Sequence, residues 1–167
     1  MKSHFKICAF AATAFAMSVS SSLADEIISI KTVLAPKESI SMNFHDGTKH
    51  FVVLILREGK SEGQGSLAGA DVVEYGWHDV NPPHGADVLG YLQFRTSNGD
   101  IANLKWRLNA VFIKGEEKPR LVDYGHWTLF SGTGQFANAT GVGTMSIQPV
   151  SPTDRLFTLN GEIGPKP

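Results

Sequence analysis

The sequence predicts an all-β protein: a single antiparallel β-barrel of about eight strands. Three observations carry this. Apolar residues recur with period two and nowhere sustain the i, i+3, i+4, i+7 spacing of a helix over three turns. Turn-forming clusters separate the periodic runs. No stretch is left over for the helix that would cross between parallel strands.

The clearest run is Ile101 to Ile113, where Ala102, Leu104, Trp106, Leu108, Ala110 and Phe112 fall on one face and Asn103, Lys105, Arg107 and Asn109 on the other. That is a long strand with one dry and one wet face. Shorter runs repeat the pattern at Ile28-x-Ile30, Ile40-x-Met42-x-Phe44, Val73-x-Tyr75-x-Trp77 and Phe157-x-Leu159-x-Gly161-x-Ile163. Phe51 to Leu56 is apolar on both faces, as a strand covered on both sides would be. Ser97-Asn98-Gly99-Asp100 is a hairpin signal, and His45-Asp46-Gly47-Thr48 divides two further strands. Gly59 to Gly65, Gly115 to Pro119 and Pro149 to Asp154 read as loops. Long strands with one consistent apolar face favour a sheet closed on itself, because closure removes exposed edges. Trp106, Leu108, Phe112, Phe157 and Leu159 are the expected inward residues.

Residues 1–24 read as a secretory signal rather than as part of the fold. Lys2 and Lys6 precede an apolar run from Ile7 to Val19, and Ser22-Leu23-Ala24 supplies small residues for cleavage. The run is too short to span a bilayer. The expected product, residues 25–167, is one exported domain, periplasmic or extracellular. Without Lys2 and Lys6, 13 basic residues face 16 acidic ones, a net charge of −3. That balance argues against a nucleic-acid partner or a polybasic membrane signal. Cys8 is the one cysteine and falls in the signal, so thiol catalysis, zinc–thiolate sites and disulfides are excluded for residues 25–167.

Gly132-Thr133-Gly134-Gln135-Phe136-Ala137 matches the G-x-G-x-x-A form of a dinucleotide fingerprint. Such a fingerprint needs a helix opening at its last small residue. Here Ala139 to Ile147 alternates like a strand, so the glycines read as structural: Gly132 and Gly134 for a tight turn, Gly141 and Gly143 for a strand with little side-chain bulk.

The segment WTLFSGTGQFANATGVGTMSIQPVSPTDRLFTLNGEI, residues 127 to 163, resembles the C-terminal half of the allene oxide cyclase and dirigent barrel superfamily. The residues that carry the likeness are Gly132, Gly134, Phe136, Gly141 and Gly143. The upstream GYLQFRTSNGDIANLKW resembles the hairpin that precedes that segment. The resemblance implies an eight-stranded antiparallel barrel in an exported bacterial-type member. It also implies an apolar cavity that works without a cofactor, and, since dirigent-type relatives often assemble as trimers, a homo-oligomer. No segment matches the family's catalytic positions, so no catalytic residue transfers.

Candidate chemistry concentrates in EYGWHDVNPPHGAD, residues 74 to 87, where Glu74, Tyr75, His78 and His84 could contact a ligand at the barrel mouth. Histidine and carboxylate together serve a metal site or a general acid–base pair. His78-x5-His84 is not a metal-ligand spacing, and Asn81-Pro82-Pro83 also fits a plain polar connection; no metal is expected. Tyr124 and His126 share a face of another strand and are the second ligand-binding candidates, with Asp123 and Trp127 on the opposite face. Three functions remain open. The first is a binding module for a small, largely apolar ligand in or at the mouth of the barrel. The others are a cofactor-free cyclase or isomerase, and an envelope interaction protein with a filled barrel.

Overall fold

The computed structural model describes residues 25–115 and 119–167. The segment read as a secretory signal, residues 1–24, lies outside the described residues. Eight strands follow one another: β1 (Glu26–Asn43), β2 (Phe51–Gln64), β3 (Asp71–Asn81), β4 (Gly85–Arg95), β5 (Ile101–Ile113), β6 (Arg120–Gly132), β7 (Ala139–Pro149) and β8 (Arg155–Pro165). Each pairs antiparallel with the next, and β8 returns to pair with β1, so the sheet closes into an up-and-down barrel. The described residues contain no α-helix. One 3-10 turn, Gly134–Phe136, stands where a nucleotide-binding helix would have to open, and β7 follows it directly.

β5 runs as its alternation requires, with Ala102, Leu104, Trp106, Leu108 and Ala110 buried and Phe112 half-buried at its end. Ser97-Asn98-Gly99-Asp100 makes the β4–β5 hairpin, where Gly99 has φ +89° and the Thr96 amide donates to the Asp100 carbonyl. Phe157 and Leu159 are wholly buried.

Three expectations need correction. Ile28-x-Ile30 and Ile40-x-Met42-x-Phe44 belong to one stretch of chain, β1 and the residue after it, whose register slips between Pro36 and Glu38. Before the slip Ile28, Ile30 and Leu34 enter the core; after it Ile40 is 74% exposed. Gly59 to Gln64 is not loop but the continuation of β2, paired with β1 throughout. The third concerns β3, where Tyr75 and Trp77 point outward and Val72, Glu74, Gly76 and His78 face in. Pairing sets the direction: Glu74 stands between Arg57 of β2 and Leu92 of β4, both buried, which leaves Tyr75 and Trp77 outside.

The two ends of the barrel differ. One end carries the connections 65–70, 96–100 and 133–138. There Leu67 and Phe136 are fully buried and join the core. Ser61 ties this plug down, donating from Oγ to the Leu67 carbonyl and accepting from the Ala70 amide. In the middle, Trp106, Trp127 and Phe157 fill the interior with side chains. Trp106 makes edge-to-face contacts with Phe157 at 6.1 Å and with His78 at 6.0 Å. Beyond Trp106 the interior changes from apolar to charged, and toward this second end the described residues leave a pocket.

Candidate functional site

The β2–β3 register sets Arg57 directly opposite Glu74, and the period of two places His78 on the same inner face two positions beyond Glu74 on that face. Arg57 Nη1 donates to Glu74 Oε2 at 2.6 Å, and His78 Nε2 lies 3.1 Å from Glu74 Oε1. The side chains of Arg57, Glu74 and His78 are 6%, 0% and 13% exposed. Gly76 sits between Glu74 and His78. A Cβ there would come within 2.5 Å of Glu74 Oε1 and 2.8 Å of His78 Nε2, so its bare backbone is what lets the imidazole reach the carboxylate.

This arrangement fixes the histidine. An ionised carboxylate only accepts, so the proton facing Glu74 Oε1 sits on His78 Nε2. Arg57 Nη1, 3.5 Å from the same nitrogen, then meets a donor with a donor and makes no hydrogen bond to it. In the neutral ring Nδ1 is left as an acceptor, and it has no partner among the described residues. Such a trio is a poor way to stabilise a barrel. Taking each ion out of water costs several kcal/mol, and an apolar replacement of the same volume often does as well or better. Arg57 Nε is buried without a partner, which adds to the cost.

His78 alone of the trio lines a pocket of about 140 Å³ at the barrel mouth, walled by Val80, Val88, Ala110, Leu121 and Ile147 with His78, Asp123 and Arg155 as its polar members. Asp123 accepts the Ile147 amide at 3.0 Å through both carboxylate oxygens. Desolvation nonetheless holds its carboxyl above the ordinary value of 3.8, outweighing that amide. Arg155 donates from Nη1 to the Ser151 and Asp154 carbonyls. Burial lowers its affinity for the proton most, and repulsion from Arg57 adds to this, while Asp154 and Glu74 oppose both.

The raised Asp123 value makes a pH prediction. The folded state holds that proton more tightly than the unfolded chain, so the group favours folding at low pH and loses that advantage as pH rises from about 3.8 to its folded value. Asp123→Asn can keep an acceptor for the Ile147 amide and cannot ionise. Denaturation midpoints across the acid limb should therefore decline less with rising pH in that variant than in the parent. An unchanged slope would show that Asp123 does not titrate there.

Of the residues singled out by sequence, Glu74 and His78 come together here. The others do not join them. Tyr75 is 52% exposed on the outer face, His84 is exposed in the β3–β4 turn, and Tyr124 (68% exposed) and His126 point outward from β6. Alternation on β6 sends Asp123 and Trp127 inward instead. Sequence reasoning missed Arg57, Asp123 and Arg155. Arg155 shares the inner face of β8 with Phe157 and Leu159, a signal present in the spacing. Tyr75 instead lines a wider, open groove of about 670 Å³ on the outside of the barrel, with Ile40, Leu54, Trp77, Leu89 and Tyr91. That groove is larger and mainly apolar, with Glu38 and Ser39 among its lining residues. The mouth pocket is where polar groups converge, which is the mark of a site that orients a ligand. Among the described residues no three His, Cys, Asp or Glu side chains cluster as metal ligands, and no helix is long and apolar enough to cross a membrane.

No protein-family model matches the sequence, and no curated protein matches it. Solved structures do. A β-barrel-like protein from Acinetobacter baumannii AYE superposes with a TM-score of 0.58 at 11% identity, over 87% of this chain and 99% of that one. A protein of unknown function from Clostridium acetobutylicum ATCC 824 gives 0.51 at 14% identity, over 81% of this chain and 96% of that one. The likeness is one of fold. At such identities it supports the eight-stranded barrel and carries no activity.

Proposed function

We propose that this protein is an exported barrel that binds one small, largely apolar molecule at its mouth. The observation that carries the reading is the Arg57–Glu74–His78 trio. It is an expensive charged cluster, set between a side-chain-filled core and an apolar-walled pocket among the described residues. A mainly apolar pocket with a few convergent polar groups is the usual form of a small-molecule site. The size of the pocket limits the occupant. A cavity of about 150 Å³ accommodates a molecule such as benzene, so about 140 Å³ encloses a single ring or a short chain. Export rests on the basic, apolar and small-residue succession of residues 1–24.

A second reading, a cofactor-free isomerase of the kind the allene oxide cyclase resemblance implies, is favoured by one feature. Glu74 orients His78 so that its free Nδ1 could take a proton from a molecule in the pocket. The pocket volume weighs against a fatty-acid-sized substrate, which would leave most of its chain outside.

The test is to purify the protein from its exporting cells, denature it and identify released small molecules by mass spectrometry. We expect a near-stoichiometric compound of one ring or a short chain. Its occupancy should fall sharply in Ala110→Leu, which fills the pocket without touching the charged trio. Equal occupancy in both proteins would place the compound elsewhere. Empty protein that also fails to shift Val88 and Ala110 NMR signals when small apolar molecules are added would overturn the reading.

A further inference from the structure

The polar inventory of the mouth pocket is unbalanced, and the imbalance names a ligand class. Arg57 is engaged by Glu74 at 2.6 Å. Arg155 has no carboxylate within ion-pair distance among the described residues. Its side-chain bonds are both made by Nη1, to the Ser151 carbonyl at 3.3 Å and the Asp154 carbonyl at 2.8 Å. Those two anchors hold the guanidinium plane in the wall of the pocket. They leave Nε and Nη2, the parallel donor pair along one edge of the group, without a partner among the described residues. That edge is the fork that matches the two oxygens of a carboxylate.

We propose that the ligand is a small monocarboxylate, its carboxylate gripped side-on by Arg155 and its apolar body lying against Val88, Ala110 and Leu121. The assignment rests on the binding reading above and narrows it. One guanidinium without an ion-pair contact in a partly desolvated wall favours one negative charge, and an arriving anion relieves the repulsion between Arg155 and Arg57. A dianion is disfavoured because Glu74 and Asp123 already bring carboxylates to the same end. A cation would meet Arg155 directly. A neutral carbonyl would give the Arg155 edge only a neutral hydrogen bond, about half as strong as a charge-assisted one. His78 Nδ1, fixed as an acceptor by Glu74, suits a ligand whose body carries one donor, such as a hydroxyl.

The test uses the full chain and matched probes: benzoate and butyrate, their neutral amides, and benzylamine. Binding is followed by calorimetry and by NMR shifts at Val88 and Ala110. The acids should bind at least about ten-fold more tightly than the amides, the difference between a charge-assisted pair and a neutral hydrogen bond. Benzylamine should not bind. Arg155→Lys keeps the charge and loses the fork, and should weaken the acids about ten-fold with little change for the amides. Arg155→Met should abolish the preference, and a denaturation curve confirms that it folds. Amides binding as well as acids, with shifts at Val88 and Ala110, would overturn the carboxylate assignment while leaving the pocket standing. Acid binding that survives unchanged in Arg155→Lys and Arg155→Met would overturn it too. No shift with any probe at millimolar concentration would overturn the pocket reading itself, and this assignment with it.

Discussion

Glu74→Ala is expected to lower folding stability by about 3–5 kcal/mol, because it leaves the Arg57 guanidinium buried without its counter-ion. The side chain of Arg57 is 6% exposed, so bulk water is a poor substitute for the lost carboxylate. Arg57 Nε already lacks a partner, and the variant would orphan Nη1 as well. Glu74→Gln retains an acceptor for Nη1 and should cost less. Replacing both members, as Arg57→Met with Glu74→Leu, removes both charges and should return most of the loss. Urea denaturation of the four proteins reads the comparison directly. A Glu74→Ala protein within about 1 kcal/mol of the parent would mean that the pair is solvated and that its burial carries no cost for function to explain. The double variant separates structure from function. It should fold, yet His78 would lose the carboxylate that sets its tautomer, so ligand binding should suffer while stability does not.

How much of this was legible beforehand follows from what alternation can and cannot say. On β5 one face was wholly apolar and the other wholly polar, so period and direction were both plain. On β3 the period was plain and the direction was not. Tyr75 and Trp77 outrank Glu74 and His78 in hydrophobicity, and a rule that sends apolar side chains inward inverts the strand. Pairing settles it: Arg57 stands across from Glu74 and Leu92 pairs on the other side, a register no single segment contains. The same limit hid Arg57, which ends an apolar run on β2 and has no local feature to mark it. Asp123 and Arg155 were readable in principle, since each shares an inner face with a large aromatic, Trp127 or Phe157. They were passed over because carboxylates and guanidiniums on strands are ordinarily outside. The glycines were read as structural from the strand that follows them. For Gly141 and Gly143 the reason, close packing against the Trp127 indole, needed the third dimension.

That packing gives the second large effect. Gly143→Val is expected to cost at least about 3 kcal/mol or to prevent folding, well beyond a typical surface change. A Cβ at Gly143 would stand 2.1 Å from the Asn160 carbonyl oxygen and 2.6 Å from Cε2 and Nε1 of Trp127, before the valine methyls are counted. Gly161, its partner across the β7–β8 ladder, is as crowded, with Trp127 Cζ2 2.7 Å from the same construction. Trp127 is fully buried and its ring lies over both glycines, so neither indole nor backbone has room to retreat. Gly134→Val is a useful contrast. There φ is +54° and the added carbon meets the Asp100 carboxylate, a side chain that can swing into solvent. Its cost should be chiefly the left-handed backbone, about 1–2 kcal/mol. The ranking, Gly143 above Gly134, is the opposite of what a phosphate-gripping G-x-G turn would show, where Gly134 would matter most and to ligand binding rather than to folding. Shrinking the ring should relieve part of the strain: Trp127→Leu with Gly143→Ala should be less damaging than the sum of the two single changes. A Gly143→Val protein that melts with the parent would mean that Trp127 does not lie against β7, and the filled core that confines the ligand to the barrel mouth would have to be redrawn.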